Sequence, residues 1–162
     1  MSTLHRTTRI ALLTALSLIL FLLEGFLPLP LPVPGAKLGL AAIVTLIALC
    51  TMSWRDAALM LALRIVLASV FGGGLAPMLY SLAGGTASFI AMVLLKKYIP
   101  LSIVGISAMG GLLHNMAQLL VAAAVMQTSA LFVYAPILGI VGILTGIVIG
   151  LCAQSILQKI SR

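Results

Sequence analysis

The sequence predicts an all-α membrane protein, a polytopic helix bundle of about six transmembrane helices forming one integral domain over residues 1–162. Three observations predict it. Hydrophobic residues make up 63% of the chain and charged residues only 7%, too few to cover a soluble domain of this size with polar side chains. The apolar residues fall in runs of about 15–27 residues between short breaks, and a span needs roughly 20. The nine Lys and Arg residues stand singly or in pairs, almost all at those breaks. A net charge of +7 suggests nucleic acid in a soluble protein. This scatter is instead the pattern of topology signals, not of a phosphate-tracking stripe.

The elements follow in order. Span one, about residues 9–27, follows Arg6 and ends in Glu24-Gly25-Phe26. Its basic start resembles a signal peptide, but no small-x-small cleavage site follows, so an uncleaved span is expected. Pro28, Pro30, Pro32 and Pro34 exclude a helix, and the stretch up to Lys37 is expected to be extended. As the longest irregular segment it is the expected gating loop. Spans two and three, about residues 38–52 and 57–71, flank the tight turn Ser53-Trp54-Arg55-Asp56. Each offers only about 22–27 Å of helix. A re-entrant hairpin is the alternative, but it buries Arg55 and Asp56 in the membrane, and that cost favours true spans. Span four, about 76–95, is closed by Lys96 and Lys97. Span five covers about 101–126 and span six about 131–157, with Lys159 and Arg162 beyond.

Orientation follows from counting. With the N-terminus in the cytoplasm, Arg6, Arg9, Arg55, Lys96, Lys97, Lys159 and Arg162 are cytoplasmic and only Lys37 is outside. The positive-inside rule therefore predicts a multi-pass cell-membrane protein with both termini cytoplasmic. Trp54 and Tyr98 fall at the inner interface, where amphipathic rings anchor.

Polar groups within spans are the informative ones, because each must be satisfied or used. Arg64 lies near the middle of span three, about 13 Å from its cytoplasmic end. It either holds an anionic group of a ligand or pairs with Glu24, the one acidic residue within a span. Glu24 itself either lines a ligand cavity or is solvated at the outer interface. On span five, Ser107, Gly111, His114 and Gln118 fall within about 60° of one another, with Asn115 at the edge. Three long polar side chains within five residues exceed what interhelical bonding needs, so His114, Asn115 and Gln118 are candidate ligand contacts. Gly139, Gly142, Gly146 and Gly150 form a face on span six suited to close packing inside the monomer. Ala11 and Ala15 form a flat patch on span one that either packs internally or docks a partner.

Several chemistries are excluded. The chain has no GxxxxGK[ST] nucleotide loop. Glu24 and Asp56 are its two acidic residues and are expected on opposite sides of the membrane, so carboxylate-held Mg²⁺ chemistry cannot be built. No nucleophile–His–acid set can be assembled. One intramembrane His lacks a second strong metal ligand, and Cys50 and Cys152 read as small hydrophobes. No catalytic residue, metal or cofactor is expected.

Four segments carry a resemblance: Lys37-Leu-Gly-Leu-Ala-Ala-Ile-Val-Thr45, Leu63-Arg64, Ser81-Leu-Ala-Gly-Gly85 and His114-Asn-Met-Ala-Gln118. From about Ile10 to Leu157 the chain resembles the family labelled both Gx transporter and heptaprenyl diphosphate synthase component I. Ala42 stands where that pattern has Asn, which removes a polar group from the start of span two. The transporter label implies a relative of the S components of energy-coupling-factor transporters. Those are six-helix substrate-binding subunits with a ligand cavity in the outer half and a gating loop between helices one and two. Their alanine patch on helix one docks the transmembrane coupling subunit, which works with separate ATPase subunits. Here the patch corresponds to Ala11 and Ala15, and the loop to residues 28–37. The synthase label implies a non-catalytic accessory subunit, and some members are linked to quinone or flavin redox systems. The leading expectation is a substrate-binding subunit for uptake of a small molecule. The ligand is expected between spans one, three, five and six, near Arg64, His114, Asn115, Gln118 and Glu24. The alternative is an accessory subunit of a prenyl diphosphate synthase or redox system.

Overall fold

Each apolar run becomes one helix in the computed structural model, which describes residues 3–26, 39–71 and 74–160. The helices are α1 (Thr3–Gly25), α2 (Ala42–Thr51), α3 (Trp54–Phe71), α4 (Leu75–Tyr98), α5 (Ile103–Val125) and α6 (Ala135–Ile160). A 3₁₀ helix, Ser129–Tyr134, leads into α6 where a continuous span was expected. Its start is set by the Thr128 side chain, which accepts from the Ala130 N–H.

Four segments are long and apolar enough to cross a membrane: Thr3–Gly25, Met78–Tyr98, Ile103–Val125 and Ser129–Ile160. The protein is a multi-pass helical membrane protein. Large side chains such as Leu12, Ile19, Val66, Ile90, Leu120 and Ile140 point outward, as lipid-facing positions do.

The expected second span needs correction. Helix α2 has 10 residues, about 15 Å, half of a bilayer's hydrocarbon core. It is apolar all round and buried from Val44 to Leu49, enclosed by its neighbours rather than by lipid. Its ends are satisfied by charged side chains from other helices. Glu24 of α1 accepts from the N–H groups of Gly39 (2.7 Å) and Leu40 (3.0 Å), just before α2. Lys96 of α4 donates to the Leu49 carbonyl (2.6 Å) near its end. The negative group at the helix start and the positive group at its end both oppose the macrodipole.

Helix directions follow from these contacts. Arg6 Nε donates to Asp56 Oδ1 (2.8 Å), so α1 and α3 start at the same end of the bundle. The α2–α3 turn therefore reaches the level of the start of α1, and no shallow hairpin forms. Of the seven described Lys and Arg residues, six (Arg6, Arg9, Arg55, Lys96, Lys97 and Lys159) lie toward that end, and Arg64 is inside.

Helices α5 and α6 are held at backbone distance by the glycines. A Cβ on Gly111 would lie 2.1 Å from the Gly142 carbonyl oxygen, and one on Gly146 would lie 2.5 Å from that of Ser107. The glycine face of α6 thus packs within the monomer.

Candidate ligand-binding site

A polar cavity opens between α1, α3, α4, α5 and the start of α2. Arg64 projects into it from α3 and is only 5% exposed. Its Nη1 donates to Ser81 Oγ on α4 (3.0 Å), and its Cζ stands 5.7 Å from the Phe21 ring centroid. Nε finds no partner among the described residues. Glu24, 3% exposed, lines the same cavity, and its charge acts favourably on the guanidinium. Burial with both oxygens on backbone N–H groups excludes the solvated-interface alternative for Glu24.

From α5, His114 and Gln118 lie one turn apart. Gln118 Nε2 donates to His114 Nε2 (3.0 Å), and the other side of the ring is bonded to the Gly84 backbone. His114 fits only because glycines face it. A Cβ on Gly84 would lie 2.8 Å from its Cε1, and Gly39 adopts φ +86 against the ring. Gln118 Oε1 is buried without a partner among the described residues. Turning the amide over exchanges which atom is left, so one amide atom stays unsatisfied either way.

The cavity holds about 30 Å³, close to one water's share of the liquid.

Four of the five expected ligand residues come together here: Arg64, His114, Gln118 and Glu24. Asn115 does not line the cavity; its Nδ2 donates to the Leu138 carbonyl (2.9 Å) across the α5–α6 seam. Pro28, Pro30, Pro32, Pro34 and Lys37 lie outside the described residues. The wall from α4 was missed: Ser81, Gly85, Ser88 and Met92 recur every three or four residues on one face. Small residues at that spacing were the available signal. Ala11 and Ala15 are exposed and line a groove of about 590 Å³ between α1 and α3, opposite Leu59 and Leu63.

Residues 13–156 match the family described as heptaprenyl diphosphate synthase component I. The chain belongs to that family. No curated protein matches this chain. Its fold is similar to a solved structure, the S component of a bacterial ECF transporter, with a TM-score of 0.77. That similarity covers 99% of this chain and 97% of the other at 14% identity, so what the two share is the fold. The expected S-component-like bundle is thereby borne out for this component I family member.

Proposed function

We propose that the chain is a substrate-capture membrane subunit that binds a small molecule bearing an anionic group, for uptake energised by separate coupling and ATPase subunits. One observation carries the reading. Two buried polar atoms, Arg64 Nε and Gln118 Oε1, lack partners among the described residues, and the two side chains that carry them line one cavity. A buried polar group left unsatisfied costs about 1–3 kcal/mol, and more when charged. A bound ligand would recover that cost. The guanidinium presents a planar fork suited to a carboxylate or phosphate. The fold similarity supports the same reading, and the exposed groove at Ala11 and Ala15 offers a face to a coupling subunit. The basic end would face the cytoplasm.

Native mass spectrometry of the gently extracted protein tests capture. A small mass retained by the wild type and lost in Arg64→Ala is the expected result. Equal retention by both would reduce Arg64 to a packing residue.

The family description favours a second reading, a non-catalytic accessory to a prenyl diphosphate synthase. Co-purification of such a synthase with a ligand-free chain would establish it instead.

A further inference from the structure

The central cavity is about a tenth of the smallest ordinary ligand pocket, which runs about 300–1,000 Å³. On the lipid-facing side of the same wall, between α3 and α4, lies an almost wholly apolar groove of about 290 Å³. The two share a boundary. Leu61 lines both, and the polar and apolar sides meet at Gly85. A Cβ there would lie 3.4 Å from Arg64 Nη2, 3.5 Å from Ile65 Cδ1 and 3.5 Å from Leu61 Cδ1. At Gly85, which has no side chain, the guanidinium and the ends of Leu61 and Ile65 come together around one point of the wall. Both apolar ends are flexible rotamer-bearing tips, and neither is tied by a polar contact.

From this we infer that the ligand is a single-tailed anionic amphiphile. Its compact head reaches Arg64 and Gln118, and its apolar tail lies in the groove lined by Ala62, Leu82, Phe89 and Ile90. The inference rests on the capture reading and narrows its substrate class. A head of a few atoms fits a cavity of about 30 Å³ after small shifts, whereas a bulky polar molecule does not. The tail needs the room that only the groove supplies. Entry is then lateral, from the bilayer through the Leu61–Gly85–Ile65 junction, so the bulk of the ligand never has to enter the narrow polar centre.

The test compares radiolabelled butanoate and dodecanoate binding to the full chain in neutral phosphatidylcholine nanodiscs, each measured against empty discs. Leu82→Trp fills the groove at a half-exposed, lipid-facing position and so spares the fold, and Gly85→Ala narrows the junction with ordinary contacts. We expect Leu82→Trp and Arg64→Ala each to weaken dodecanoate binding by at least about tenfold. Gly85→Ala should weaken it in the same direction. Butanoate should respond to Arg64→Ala alone. If both probes need Arg64 but neither responds to Leu82→Trp, the amphiphile inference is overturned and capture stands. Dodecanoate binding that ignores Arg64→Ala overturns it too, since the head then never enters. If the wild type binds neither probe above empty discs, the amphiphile inference is overturned, and capture of another anion is decided separately by the Arg64→Ala retention test.

Discussion

Arg64 is a charged group buried inside the bundle, and the contacts that compensate it decide its role. A central Arg costs at least about 2.5 kcal/mol on insertion scales. Against this stand one bond to Ser81, the face of Phe21 and the charge of Glu24. Replacing a poorly compensated buried charge by an apolar side chain of similar size is often neutral or stabilising. Arg64→Met is therefore expected to hold or raise the melting temperature while abolishing retention of an anionic ligand. A melting temperature lowered by more than about 5 °C would instead mark Arg64 as structural. Glu24 should behave in the opposite way. Glu24→Ala strips two charge-assisted acceptors from the Gly39 and Leu40 N–H groups and should destabilise by about 2 kcal/mol or more. Glu24→Gln keeps one acceptor and should fall between them; thermal denaturation of the pair against wild type reads the difference.

At the scale of elements, the α5–α6 seam shows which glycines matter. Gly111→Ala drives a methyl to within 2.1 Å of the Gly142 oxygen, which is backbone and cannot step aside. Gly139→Ala meets only side-chain tips, Leu112 at 3.4 Å and Met116 at 3.9 Å. The first should cost about 3 kcal/mol or more through overpacking. The second should be near neutral, because Ala gains about 1 kcal/mol over Gly in a helix. Equal melting temperatures for the two variants would refute the seam as described. This seam was legible in the sequence because four glycines at helical spacing have few other uses. The polar stripe on α5 was legible for a similar reason, since amides and imidazoles are rare among lipid-facing side chains. The length of α2 was not. An unbroken apolar run does not reveal whether lipid or protein surrounds it, nor that Glu24 and Lys96 of other helices bond the backbone at the two ends of α2. Nor did Asn115 betray its partner. From the sequence it sits at the edge of the stripe, and only the packing of α6 turns it toward Leu138.

For the whole molecule, the proposed capture reading gives two separate surfaces different tasks. The polar cavity lies inside the bundle, while the groove at Ala11 and Ala15 faces outward beside the basic end. Ala15→Trp should therefore abolish co-purification of a coupling subunit while leaving ligand retention intact, and unchanged co-purification would sink docking at that face. Both tasks presuppose an orientation, which the charges predict. Six described basic side chains cluster at the end holding the starts of α1, α3 and α5, and cytoplasmic retention of such charge sets topology. The opposite end, at Gln127 and Ser129, should then lie outside the cell. In a background lacking Cys50 and Cys152, a cysteine placed at Ser129 should react with a membrane-impermeant thiol reagent in intact cells. One placed at Ser53 should react only after the membrane is permeabilised. The reverse pattern would invert the molecule, putting the Ala11/Ala15 groove's basic end away from any cytoplasmic ATPase and removing the basis for energy-coupled uptake.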